Sequence, residues 1–149
     1  MGEEPSHDPY QPKGKPVEPL QCSTCSAIFH DGRWQWSAAP ANAHKTLCPA
    51  CRRIHEKFPA GYLTLEGDYA REHRAELLRT ARQHELHEKA EHPLQRIMAI
   101  EESHDRVLIT TTDIHLARGI GEALHRANGG ELKFQYEKGE YQLRAHWAR

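Results

Sequence analysis

No apolar run in this 149-residue chain approaches the roughly 20 residues that a membrane-spanning helix needs. The opening stretch, MGEEPSHDPYQPKGKPVEP, has no apolar segment of the kind a secretory signal carries, so a cytoplasmic protein is expected. An excess of one charge is also missing. The 20 Lys and Arg stand against 21 Asp and Glu, a formal net charge of -1. That excludes a binder relying on bulk positive charge and leaves room for a local basic face. No glycine-rich loop ends in Lys followed by Ser or Thr, and Gly129-Gly130 falls at a helix end, the wrong place for a dinucleotide fingerprint. At 38% hydrophobic residues the chain can fill one core, or one core with a small satellite, but not a large multidomain enzyme.

Cysteine is scarce too, yet Cys22, Cys25, Cys48 and Cys51 all lie in the first 51 residues as two Cys-x2-Cys pairs. Two close thiol pairs, brought together by the returning chain, surround one tetrahedral Zn2+, and Pro49 preshapes the second turn. Four thiolates leave no open position for water, which makes the expected ion structural rather than catalytic. Binding adds four negative charges and restores two, so the formal -1 becomes about -3 with zinc. Between the pairs, Phe29, Trp34 and Trp36 supply either the small core of a ribbon or a ring for base stacking. The alternation of Trp34 and Trp36 predicts a strand with both rings on one face. His30, His44 and His55 are read as surface groups. Arg52, Arg53 and Lys57 follow the second pair as a modest basic patch.

Residues 1–19 hold five Pro and several charges and read as a disordered arm. Residues 20–60 form the expected zinc-ribbon module and residues 61–149 an α+β domain. In the latter, Tyr62–Leu65 predicts a short strand, Asp68 a helix cap, and residues 69–91 a long mixed-charge helix with Ala75, Leu77, Leu78 and Ala81 along its apolar stripe, extended by Leu86 and Ala90. Pro93 then opens either a kinked continuation or a second helix, with Leu94, Ile97 and Met98 on one face. Arg106–Thr111 reads as a strand, Thr112-Asp113 as a cap, and residues 114–127 as a helix burying Ala117, Ile120, Gly121, Leu124 and Ala127. Asn128-Gly129-Gly130 stops it. Leu132, Phe134 and Tyr136 alternate, as do Tyr141, Leu143, Ala145 and Trp147, which predicts a closing hairpin. The expected fold is therefore α+β: a four-cysteine zinc ribbon, then a mixed sheet covered on one face by helices, with a long helix and a terminal strand–helix–strand–strand unit.

The densest polar group is Thr110, Thr111, Thr112, Asp113, His115 and Arg118 around a helix start. It reads either as a phosphate-binding edge or as ordinary capping. Ser103-His104-Asp105 contains hydrolase residue types, but adjacency does not make a triad. His84, Glu85, His87 and Glu88 invite a second metal site, and exposed helix residues explain them more simply.

Both cysteine pairs, followed by CRRIHEKFPAGYLTLEG, EHPLQRIMAIEE and ITTTDIHLARGIGEALHRANGG, resemble a group of small bacterial zinc-ribbon proteins of largely unassigned function. More distantly, the ribbon and the Thr-Thr-Asp, Leu-Ala-Arg and Ile-Gly elements are similar to the ribosomal nuclear-export adapter family, whose members bind the large ribosomal subunit. With one four-cysteine cluster and no length for that family's additional domains, the resemblance implies a ribosome link without nuclear export. The leading expectation is a non-enzymatic, zinc-containing protein that binds the ribosome or structured RNA, of the stress-linked or hibernation type. Arg52, Arg53, Arg118 and Arg126 would hold phosphates, Trp34 or Trp36 would stack, and Thr111, Thr112 and His115 would line the helix start. The alternative is a protein-interaction adapter or transcription-linked module acting through the arm or the long helix. Neither a membrane nor a small-molecule substrate is expected.

Overall fold

The computed structural model describes residues 4–5, 7–11, 14 and 17–149. The expected arm of residues 1–19 thus lies partly outside the described residues. Two sheets organise the rest. Four short strands, β1 (Leu20–Cys22), β2 (Ile28–His30), β3 (Arg33–Gln35) and β4 (His44–Thr46), form the first in the order β3-β2-β1-β4. β1 is antiparallel to β2 and parallel to β4. Phe29 and Trp34 face each other across β2 and β3 with ring centroids 5.4 Å apart, and they form the ribbon's small core with the cysteines, Ala27 and Ala50. Helix α1 (Pro49–Glu56) leaves the second cysteine pair directly. Pro49 occupies its first turn, and Lys57 ends it in a left-handed conformation at φ 56°.

The second sheet has five strands: β5 (Gly61–Glu66), β6 (Ile97–Glu102), β7 (Arg106–Thr111), β8 (Glu131–Tyr136) and β9 (Leu143–Ala148). Their order is β6-β7-β5-β9-β8, with only β5 and β9 parallel. Helices α2 (Asp68–Glu72), α3 (Arg74–Glu91) and α4 (Ile114–Asn128) complete the fold. Strand alternation sends Leu63, Leu65, Val107, Ile109, Ala145 and Trp147 to one face, where they meet Leu116, Ile120 and Leu124 of α4 and Leu77 and Ala81 of α3. Gly121 lets α4 lie close to β8, since a Cβ there would stand 2.9 Å from Leu132 Cδ1. No helix of the described residues is long and apolar enough to cross a membrane.

The α+β class, the mixed sheet, the long helix and the terminal strand–helix–strand–strand unit match the sequence reading. Several local expectations do not. Residues 97–102 are a strand, not a helix: they pair antiparallel with β7, with an irregularity at Met98 between Ile97 and Ala99. Leu94, Ile97 and Met98 do fit a helical period, but the Ser103–Asp105 turn folds 97–102 back onto a strand that needs an edge partner, so tertiary pairing overrides the local pattern. The 69–91 helix breaks at His73, and Asp68 is its first residue rather than its cap. Ala75, Leu86, Ala90 and Ala127 are exposed, so both apolar stripes are shorter than the sequence indicates. Trp36 lies just beyond β3, outside the strand that carries Trp34.

Ile120 is fully buried beneath the sheet, whereas Leu86 is 73% exposed. Ile120→Ala should therefore cost about 2–5 kcal/mol of unfolding free energy in a urea titration, while Leu86→Ala should stay within about 0.5 kcal/mol of the parent.

Candidate metal centre

Cys22 closes β1, and Cys25 follows it on a tight turn. Cys48 caps α1, and Cys51 sits in its first turn. The chain crossing through β2, β3 and β4 brings both pairs together, so that the four sulfurs lie within 4.8 Å of one another. All four cysteines are free thiols. Cys25 Sγ and Cys48 Sγ are 3.8 Å apart. A tetrahedron with metal–sulfur bonds of about 2.3 Å has edges of about 3.8 Å, so this spacing suits a metal ion and not a disulfide. Backbone amides reinforce the arrangement: Cys48 N–H donates to Cys22 Sγ and Cys51 N–H to Cys48 Sγ, each at 3.3 Å. Such donors stabilise thiolate charge.

A fifth side chain belongs to this cluster. Arg96, 7% exposed, reaches from the segment before β6. Its Nη1 donates to Cys51 Sγ at 3.1 Å, and its Nη2 donates to Cys25 Sγ at 3.0 Å and lies 3.7 Å from Cys48 Sγ. Burial works against its charge, but the sulfurs of Cys51 and Cys25 more than offset that and hold it firmly protonated. Burial also pushes the Cys48 and Cys51 thiols up, against the pull of the Arg96 guanidinium. It acts on Cys22 too, but the amides of Cys25, Cys48 and Thr24 outweigh it and bring that thiol down to about 6. Four sulfurs this close cannot all carry charge without a cation among them. Sequence reasoning missed Arg96, because its spacing from the cysteines follows no motif.

The predicted nucleic-acid contacts differ in exposure, and four of them are buried. Trp34 is buried against Phe29. Arg53 is 1% exposed, pairs with Asp8 at 2.8 Å, donates to the Phe58 carbonyl and lies under the Tyr10 ring. Thr111 is buried and donates to the Asp113 carbonyl, while the buried Thr112 hydroxyl donates to the Leu94 carbonyl and accepts from Arg96 N–H. These four residues are buried and engaged internally. Trp36, at 40% exposure, donates its indole N–H to the Lys89 carbonyl. Arg52 and Arg126 are exposed, with Arg52 paired to Glu56. Arg118 donates to the Tyr136 hydroxyl and pairs with Glu122.

The α4 N-terminus is capped by its own chain. Asp113 accepts from Leu116 N–H at 3.1 Å, and Glu4 is in contact with His115. The Asp113 carboxylate takes the cap position at this helix start, and Glu4 lies against the His115 ring. Among the described residues the cysteines are the only metal-type cluster. His84 packs on Gly119, where a Cβ would stand 2.6 Å from its Nε2, and Glu85 accepts from Ile97 N–H, so these α3 residues fasten the helix to its neighbours. Ser103 donates directly to Asp105 within the β6–β7 turn.

No family model, curated protein or solved structure matches the chain. The cluster is of zinc-ribbon type and can hold a metal ion, but nothing found ties it to a particular family.

Two outcomes follow from the geometry. Cys48 anchors both the cluster and the start of α1, so Cys48→Ser should abolish stoichiometric metal binding and unprotect amides of β1–β4, while the five-stranded sheet keeps its hydrogen-exchange protection. The Asp113 carboxylate beside His115 raises its pKa to about 9, against partial burial and with help from Glu4. A raised value makes this stabilisation full below about pH 6.5 and lost as pH climbs through 9. An NMR titration should place the His115 midpoint near 9, and Asp113→Asn should move it down.

Proposed function

We propose that this chain is a non-enzymatic, cytoplasmic, zinc-containing protein that binds RNA and associates with the ribosome as a stress-linked factor. Zinc is favoured because four thiolates gathered within 4.8 Å of one another are its structural donor set, and a four-sulfur shell leaves no position for a reacting water.

One observation carries the RNA reading: the sheet face opposite α3 and α4. Tyr62 and Thr64 of β5 project there, as do Arg144 and His146 of β9 and Lys133 and Gln135 of β8. They border a shallow groove of about 680 Å3. Parallel register sets Tyr62 beside Arg144, whose guanidinium carbon lies 4.4 Å from the ring centroid. An aromatic ring and a guanidinium on an open sheet form a stacking platform for unpaired bases. Lys133 pairs with Glu131 at 3.4 Å, Arg144 with Glu137 at 3.1 Å, and His146 with Glu66. Stacking and hydrogen bonds, not bulk charge, would therefore supply the affinity, in keeping with the formal charge of -1. The link to the ribosome rests on the sequence resemblance. A protein-interaction adapter is the second reading, supported by the exposed apolar side chains of Ile54, Phe58 and Leu86.

Sucrose-gradient fractions from stationary cells, with purified subunits and a single-stranded RNA oligonucleotide as direct probes, test this. Co-sedimentation is expected, along with a shallow salt dependence and a loss of about tenfold in RNA affinity for Tyr62→Ala without metal release. Absence from every ribosomal fraction together with no binding to subunits or oligonucleotide would overturn it. Nuclease-resistant capture of a protein partner alone would favour the adapter.

A further inference from the structure

We propose that Arg96 couples metal binding in the ribbon to docking of the ribbon on the five-stranded sheet, as the fixed counter-charge of metal-bound Cys25 and Cys51. The side chain starts from a clamped point. Its own N–H donates to Thr112 Oγ1, its carbonyl accepts from Thr112 N–H, both at 2.9 Å, and its Nε donates to the Pro93 carbonyl at 2.8 Å. Thr112 closes the link between β7 and α4, so Arg96 is held by the sheet and its helix while its two terminal nitrogens point at sulfurs of the ribbon.

Two further contacts lie beside it. Leu94 packs against the ribbon's core, and Trp36 of the ribbon donates to the Lys89 carbonyl of α3 at 2.7 Å. The Arg96 guanidinium carbon lies 5.9 Å from the Trp36 ring centroid, so the charged and apolar parts of this junction form one patch. Cys22 stands apart, since its sulfur accepts from the Cys48 backbone amide rather than from the guanidinium.

The energetics make the contact conditional on the metal. A divalent ion with four thiolates carries two net negative charges, and a buried charge of that size calls for a counter-ion. The guanidinium supplies one positive charge through charge-assisted hydrogen bonds in a fixed fork. Metal binding creates the dianion, so it also creates the partner that makes burial of Arg96 favourable. Reciprocity then requires that docking tighten metal binding by the same factor by which the metal tightens docking.

The full-length chain tests this with metal loaded, comparing the parent with Arg96→Met and Arg96→Lys. Metal transfer to a chromogenic chelator should be about tenfold faster in Arg96→Met, with partial recovery in Arg96→Lys, which keeps the charge without the fork. Alkylation by iodoacetamide, mapped by mass spectrometry, should accelerate at Cys25 and Cys51 relative to Cys22, whereas general loosening would raise all three together. The Trp36 indole proton should exchange faster in Arg96→Met, and also in the parent once a chelator has stripped the metal. Release rates in Arg96→Met within twofold of the parent would overturn the proposal. So would a Trp36 indole equally protected in the stripped and loaded parent. The last measurement uses the unaltered chain and stands even where Arg96→Met fails to fold.

Discussion

Four sulfur atoms within 4.8 Å of one another need positive charge among them, and the N-terminal third of the molecule is arranged around that need. The ribbon's strands are three residues long, and its apolar core is little more than Phe29, Trp34 and small residues against the cysteines. So small a core cannot offset the conformational entropy of ordering the chain around it, which leaves the metal as the principal source of order there. The backbone donors at Cys48 and Cys51 and the Arg96 guanidinium address the charge that remains once a divalent ion is bound.

The five-stranded sheet has a different source of order. Strands β5, β8 and β9 alternate, α4 lies across the inner face, and Trp147 is fully buried with its indole donating to the Gly129 carbonyl. Helices take up one face alone, and the other keeps polar and aromatic side chains in register across β5, β9 and β8. Arg96 lies between these two sources of order, bonded to the Thr112 clamp at one end and to the sulfurs at the other. It is a short physical route by which the state of the metal reaches the sheet.

Much of this was legible from residue order, for identifiable reasons. The cysteine spacing sets a local geometry that few other chemistries use. β5, β7, β8, β9 and α4 carry the periods of two and of 3.6 that burial on one face imposes. The Asp113 cap and the Gly129 stop are local stereochemistry, so the boundaries of α4 fell close to expectation. Residues 97–102 failed because an edge strand is half exposed on both faces and carries little alternation, which let Leu94, Ile97 and Met98 imitate a helix. Arg52 and Arg53 look like a matched basic pair, but a helix turns successive residues by about 100°. One faces solvent, and the other turns inward to Asp8, Tyr10 and the Phe58 carbonyl.

The residues of the proposed sites were the hardest to read because they are assembled by tertiary neighbours rather than by spacing. Tyr62 and Arg144 meet only because β9 returns parallel to β5, a connection that alternation does not specify. Arg96 meets Cys25 and Cys51 only because Thr112 fixes the segment before β6. Polar residues near a motif, by contrast, were easy to nominate, and Thr111, Thr112 and Arg53 proved to be buried hydrogen-bonding partners that hold the fold. A buried cation or hydroxyl must be paired internally, while a site needs polar groups with capacity left over. Burial therefore sorts the candidates. It assigns Arg53, Thr111 and Thr112 to the fold, and leaves the sulfur cluster with Arg96 and the open face of the sheet as the proposed sites.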